Sequence, residues 1–139
     1  MTREETTRKY FEKDMFIKRM GAEIVALDEE KAVVKAPITT DCLNANGCAQ
    51  GGMLYTLADF AFAVLANHLH PMTVTQGGSI QYVRAAKTAY VVATAREITR
   101  SGRNTVSEVL IRDAEENVVC VCSFNGFIKE VDWDTWANL

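Results

Sequence analysis

The chain has 139 residues, of which 48% are hydrophobic and 24% are charged. This composition is typical of a folded globular protein and too apolar for a disordered one. The formal net charge of −3 disfavours general nucleic-acid binding as the function.

The length is typical of one domain, and we predict a single domain over residues 1–139. No apolar run approaches the roughly 18 residues that a membrane-spanning helix needs. The polar start Met1–Glu5 does not resemble a signal peptide. The sequence therefore predicts a cytoplasmic protein.

The cysteines and histidines form no metal-binding pattern. No C-x-x-C occurs, and neither His68 nor His70 has a zinc-ligand spacing to any cysteine. We therefore predict no metal site, and we expect the histidines to be helix-dipole partners or surface residues. Small buried thiols are expected at Cys42, Cys48, Cys120 and Cys122.

The first predicted element is an N-terminal helix. Thr2 and Glu5 can form a capping box, and apolar residues recur at roughly helical spacing up to Gly21, where we expect the helix to end. Two short strands and a polar loop are predicted next, over Ile24–Ala26, Ala32–Ile38 and Thr39–Gln50.

A long helix is predicted from Gly51 to Leu69. It is apolar nearly all round, which is typical of a helix buried in a core, and Pro71 lies beyond its end. One carboxylate, Asp59, is its only formally charged side chain.

Four strands are predicted after this helix, over Thr73–Ala85, Ala89–Arg100, Thr105–Asp113 and Val118–Lys129. The connections between them are too short for a crossover helix, so we expect an antiparallel meander. Gly77 and Gly78 predict a bulge or a close backbone approach. The tail, Asp132–Leu139, is expected to dock on the surface or at an interface.

Asp59 has two interpretations. It can lie on a narrow solvated strip of the helix with Tyr55 and Thr56, as isolated polar residues often do. Alternatively it is functional, because a buried carboxylate costs several kcal/mol unless it is paired or protonated. The Gly51–Gly52 pair at the start of the same helix favours function, since unobstructed N–H groups at a helix start bind an anion or an oxyanion.

The segment N-A-N-G-C-A-Q-G-G-M-L-Y-T-L-A-D, from Asn44 to Asp59, resembles the motif of the hotdog-fold acyl-CoA thioesterases. The phenylacetate-degradation thioesterases are the group it resembles best, and the order of elements extends the resemblance over nearly the whole chain. It implies an α+β hotdog fold, in which a curved antiparallel sheet wraps around one long helix. It also implies hydrolysis of an acyl-CoA to a free acid and coenzyme A, with no cofactor.

The resemblance further implies roles for single residues. Asp59 matches the general base or nucleophile, and the N–H of Gly51 matches the donor that polarises the thioester carbonyl. Asn44 matches a residue that positions the water or the substrate, and Thr75 matches a hydroxyl near the acid. Gln50 departs from the family, which has His there: its amide can donate a hydrogen bond but cannot be protonated.

Two basic segments are candidates for binding coenzyme A. We expect them to cluster near one end of the sheet, and they resemble the regions that hold the nucleotide and pantetheine in the family. Taken singly, exposed basic residues in turns are more often solubility residues. The first segment contributes Tyr82, Arg84 and Lys87, and the second contributes Arg100, Ser101, Gly102, Arg103, Asn104 and Thr105.

Two other functions remain open. A non-catalytic acyl-CoA-binding or sensing protein is favoured only by Gln50. A hydratase or dehydratase of the same fold ranks lower, because that chemistry usually uses a His, and neither His68 nor His70 is at the helix start. The acyl group itself is not defined: Tyr55, Phe60 and Phe62 are compatible with an aryl-acetyl or medium-chain pocket and equally with core packing.

The spacing of the candidate residues also predicts self-association. Gly51 and Asp59 are eight residues apart, about 12 Å along a helix, so one carbonyl cannot contact both in one subunit. A two-fold dimer brings one subunit's helix start to the partner's acid. We therefore predict two shared sites, with Asn44, Gln50 and Gly51 from one chain and Asp59 and Thr75 from the other, in a dimer or a dimer of dimers.

Overall fold

A six-stranded antiparallel sheet packs around one long helix in the computed structural model, which describes residues 1–139. The strands are β1 (Glu23–Leu27), β2 (Ala32–Pro37), β3 (Thr73–Tyr82), β4 (Tyr90–Ser101), β5 (Asn104–Asp113) and β6 (Val118–Ile128). The helices are α1 (Arg3–Phe11), α2 (Met15–Met20), α3 (Gly51–Leu69) and α4 (Trp133–Ala137). None of the helices is long and apolar enough to cross a membrane.

The long helix α3 has the predicted bounds and is buried as predicted. Its apolar residues pack against β2, β3, β4 and β5, and Leu57, Phe62 and Leu65 have no solvent exposure. Phe60 is 5% exposed, so Phe60 and Phe62 both belong to the core. Helix α3 therefore serves as the central element on which the sheet closes.

The single N-terminal helix of the prediction is in fact two helices. The capping box of Thr2 and Glu5 is confirmed, and Gly21 ends the second helix with a φ of 73°. The break arises at Asp14, whose carboxylate accepts a hydrogen bond from the Ile17 N–H and so starts α2. A side chain that caps a new helix competes with continuation of the old one.

The predicted four-strand meander is wrong for its first strand. Strands β4, β5 and β6 form a meander, but β3 pairs with β6 instead of β4 and lies at the edge of the sheet. The connection of residues 83–89 reaches about 23 Å when extended, which is more than the ~14 Å across three strand spacings. The antiparallel pairing and the bulge between Thr75 and Gly77 are confirmed.

Three of the four cysteines are buried, and all four are free thiols. Cys120 and Cys122 face the core from β6, where burial raises the pKa of Cys120 to about 11 and that of Cys122 to about 12. Cys42 is partly exposed, contrary to prediction, because it lies in the loop between β2 and α3.

The ends of the chain pack together beside α3. Trp136 of α4 is fully buried, and its ring lies 4.4 Å from that of Tyr10, so the tail docks as predicted. His68 is in the last turn of α3 but is buried, so the expected surface position is wrong for it, and its Nδ1 lies 3.0 Å from the Thr7 hydroxyl. His70 at the end of α3 contacts the Glu97 carboxylate at 2.6 Å.

Candidate active site

The start of α3 is capped by Gln50. Its side-chain Oε1 accepts a hydrogen bond from the Met53 N–H at 3.1 Å, while its amide N–H groups have no partner in the chain. A Cβ on Gly52 would lie 2.7 Å from that Oε1, so the absence of a side chain at Gly52 leaves room for Gln50 to fold over the helix start. The oxygen of the Gln50 amide thus caps the helix, and its nitrogen remains free to donate a hydrogen bond.

Two backbone donors are free at the same place. The N–H groups of Gly51 and Gly52 have no acceptor within the chain, as expected for the first residues of a helix. The Tyr82 hydroxyl donates to the Gly51 carbonyl at 2.9 Å. A Cβ on Gly51 would lie 3.1 Å from the Tyr82 ring. Tyr82, predicted only as a coenzyme A contact, therefore also braces the helix start, a role for which the sequence carries no signal.

Asn44 organises the loop that leads to this helix. Its side-chain oxygen accepts hydrogen bonds from the Asn46 and Cys48 N–H groups at 2.9 and 3.1 Å, which leaves its amide N–H groups as donors. Asn44, Gly51, Tyr82 and Arg84 line one cleft of about 440 Å³. The structure thus brings the predicted Asn44, the helix start and part of the first basic segment together.

Asp59 and Thr75 form the second cluster of predicted residues. The Thr75 hydroxyl donates to Asp59 Oδ1 at 2.8 Å. Partial burial raises the pKa of Asp59, and the Thr75 hydrogen bond opposes that rise. Tyr55, Thr56 and Asp59 are all half-buried, so Asp59 lies on the polar strip of the first interpretation and is also held against β3.

The two clusters do not meet within one chain. Eight residues separate Gly51 from Asp59 on α3, which is about 12 Å along the axis. Neither His68 nor His70 provides a base near Gly51, because both lie at the C-terminal end of α3. One chain therefore carries two half-sites, an oxyanion-type half at the helix start and an acidic half at mid-helix.

The two basic segments do not cluster within one chain, contrary to prediction. They lie at opposite ends of β4, whose twelve residues span about 36 Å along the strand. In the second segment, Arg100 and Arg103 pair with Glu130 at 3.8 and 3.4 Å. The Thr105 hydroxyl donates to Glu97 at 2.6 Å.

Known proteins with similar sequences and structures define the family. Residues 46–120 match the family model described as the thioesterase superfamily. The acyl-coenzyme A thioesterase PaaI of Escherichia coli is 28% identical over 112 residues, 80% of each chain. The 1,4-dihydroxy-2-naphthoyl-CoA hydrolase of Listeria monocytogenes is 30% identical over 105 residues, 73% of this chain and 85% of that protein.

A solved structure confirms the fold. The structure of the Escherichia coli PaaI protein aligns with a TM-score of 0.84 and 24% identity, covering 91% of this chain and 96% of that one. The chain therefore belongs to the thioesterase superfamily, and it is a thioester hydrolase with the hotdog fold.

Proposed function

We propose that this chain hydrolyses an acyl-CoA with Asp59 as the general base or nucleophile. The observation that carries the proposal is the Asp59 carboxylate, the only formal charge on an otherwise apolar helix, held by Thr75 at 2.8 Å. The similarity to an acyl-coenzyme A thioesterase and to a 1,4-dihydroxy-2-naphthoyl-CoA hydrolase supports coenzyme A esters as substrates. The proposed acyl group is aryl-acetyl or medium-chain.

Asp59 has the properties of a general base. The Thr75 hydroxyl donates a hydrogen bond to Oδ1. The other oxygen, Oδ2, is left to accept a proton from water or to attack the thioester carbon. Burial raises the pKa of this carboxyl group, and a carboxylate with a raised pKa is a stronger base toward water.

The helix start is suited to the charge that develops on the carbonyl oxygen. The free N–H groups of Gly51 and Gly52 lie at the positive end of a 19-residue helix. A well-placed donor of this kind contributes about 2.7–4 kcal/mol to the stabilisation of the transition state. The free amide of Gln50 adds a neutral donor beside them, so the oxyanion half requires no ionisable group.

We propose that both halves of the site meet across a two-fold dimer. The 12 Å between Gly51 and Asp59 is bridged when the partner's helix runs antiparallel and presents the partner's Asp59 to Gly51. Strand β3 supports this proposal, because it is a ten-residue edge strand with an unpaired side. A dimer of such dimers remains a prediction.

The same arrangement offers a place for coenzyme A. Antiparallel helices bring the C-terminal end of one α3 toward the loop that precedes the other. The hairpin of Arg100–Thr105 from one chain then approaches Arg84 and Lys87 of its partner. The phosphates of coenzyme A then bind across the interface, between the first basic segment of one chain and the second basic segment of its partner. The two segments can therefore act together although they are far apart in one chain. The four free thiols support a location in the reducing cytoplasm.

A panel of coenzyme A esters tests the proposal. Thiol release is followed with a chromogenic reagent on aryl-acetyl, benzoyl and straight-chain esters, and we expect steady turnover of at least one class. The second candidate function, acyl-CoA binding without hydrolysis, is favoured by Gln50 in place of His. Saturable binding of an ester by the wild-type protein, with no thiol release from any ester, would establish that candidate instead.

A further inference from the structure

The shared site places one residue of α3 at the two-fold axis. If Gly51 faces the partner's Asp59, symmetry places the partner's Gly51 opposite Asp59. The residue midway between positions 51 and 59 then lies on the axis and faces its own copy. That residue is Tyr55. This inference rests on the proposed function, because the register of the two helices follows from the proposed site.

The environment of Tyr55 differs from that of the other aromatic residues of α3. Phe60 and Phe62 are buried in the core, whereas Tyr55 is half-buried and on the same helix face as Asp59. Its ring contacts Phe124 edge-on, with the centroids 5.3 Å apart. The ring is thus held in place by packing within its own chain, and it remains partly exposed.

The Tyr55 hydroxyl reaches the edge strand. A Cβ on Gly78 would lie 2.7 Å from this hydroxyl and 2.5 Å from the Phe124 ring. Glycine at this position of β3 therefore leaves the space that the Tyr55 hydroxyl occupies. Tyr55 thereby closes the space between α3 and β3 at one point along the helix.

The direction of the acyl group follows from the position of the cleft at the start of α3, which contains part of the first basic segment. The cleft lined by Asn44, Tyr82 and Arg84 lies at the first turn of α3, where Gly51 and Leu54 also line it, and no residue of the helix beyond Leu54 contributes to it. A thioester held between one chain's Gly51 and the partner's Asp59 has its coenzyme A in that cleft. Its acyl group then points the opposite way, toward the axis. Four helical residues, about 6 Å, separate the level of the carbonyl from Tyr55.

We propose that Tyr55 determines the length of the acyl group. The two Tyr55 rings meet at the axis and form a common end wall between the two acyl clefts. Each cleft therefore accepts a compact acyl group, short or with a single ring, and of the two proposed classes it favours the aryl-acetyl group over the straight medium chain. The aromatic ring acts here as a steric limit, so its hydroxyl is not required for the limit itself.

Variants of Tyr55 test this role in opposite directions. Tyr55→Ala joins the two clefts, and we expect kcat/KM for dodecanoyl-CoA relative to butanoyl-CoA to rise about tenfold or more. Tyr55→Trp enlarges the wall and shifts the preference toward shorter esters, while Tyr55→Phe keeps the wild-type profile. Tyr55→Leu carries the same expectation as Tyr55→Ala if the alanine variant does not fold.

Tyr90→Ala is the matched control, because it removes a half-buried tyrosine from the start of β4, outside both half-sites. We expect no change in its chain-length profile. An active wild-type protein whose profile is the same in Tyr55→Ala, Tyr55→Leu and Tyr55→Trp overturns this inference and leaves the proposed function intact. A wild-type protein that hydrolyses no ester overturns both.

Discussion

Thr75 holds the Asp59 carboxylate from the neighbouring edge strand, with its hydroxyl 2.8 Å from Oδ1. The contact joins the middle of α3 to β3. In sequence, the whole C-terminal half of α3 lies between the two residues. It fixes the orientation of the carboxylate while leaving Oδ2 without a partner.

Replacing Asp59 tests its role in catalysis and its effect on the stability of the fold separately. We expect Asp59→Asn to lower kcat by at least ~10²-fold, because the amide cannot accept the proton from water. The free energy of unfolding should stay the same or rise, since a partly buried carboxylate is removed. Thiol release and urea denaturation measure the two effects. The control is Asp41→Asn, which changes an exposed carboxylate and should alter neither kcat nor the free energy of unfolding. Near-wild-type turnover of Asp59→Asn would exclude the mechanism.

The Asp59 carboxyl group should also affect stability in a pH-dependent way. Its pKa is raised above the ordinary value of 3.8 in the folded protein, so the folded state favours the protonated form. Its contribution to stability is therefore complete below pH 3.8 and is lost as the pH rises through the folded-state pKa. We expect the unfolding free energy of Asp59→Asn, relative to wild type, to increase from acid to neutral pH. A constant difference across that range would contradict the raised pKa.

The Thr75 hydroxyl should affect the pKa of the proposed base, Asp59. Its hydrogen bond lowers the pKa of Asp59 against the effect of burial, so Thr75→Val should raise that pKa further. The acid limb of the kcat/KM profile is then expected to move to higher pH. Thr75→Ser keeps the hydroxyl and should keep the wild-type profile. If the valine and serine variants have the same acid limb, Asp59 is not the group that titrates there.

Introducing the family's histidine tests whether Gln50 contacts the substrate. Gln50 contributes a neutral donor that does not titrate, so Gln50→His should preserve or raise turnover and add an ionisation near neutral pH. The measurement is the pH dependence of kcat/KM for both proteins. Superimposable profiles would place this side chain away from the reacting carbonyl.

Subunit mixing tests whether the sites are shared. Asn44→Ala and Asp59→Ala each damage a different half-site, so a hybrid dimer has one site with both lesions and one with none. Equal random mixing makes half the dimers hybrid, and roughly a quarter of wild-type activity should return after joint refolding. Each variant refolded alone is the control. If every site were built within one chain, the mixture would remain inactive.

Local patterns in the sequence were sufficient to predict the element that carries the site. The bounds of α3 follow from its apolar character and from the Gly51–Gly52 start, features that depend on near neighbours alone. The significance of Asp59 was also visible, because a single charge within an apolar helix is unfavourable wherever that helix packs. The resemblance of Asn44–Asp59 to a known motif then connected these residues with thioester chemistry.

The tertiary structure alone decided which segments are neighbours in space. The pairing of β3 with β6 depends on long-range contacts, and the connection of residues 83–89 is long enough to allow it, so no local pattern distinguishes the two partners. The brace from Tyr82 to Gly51 likewise joins residues that are distant in sequence, because it depends on the packing of β3 beside α3. Residue type and spacing determine what a side chain can do, but its partners depend on how distant parts of the chain pack.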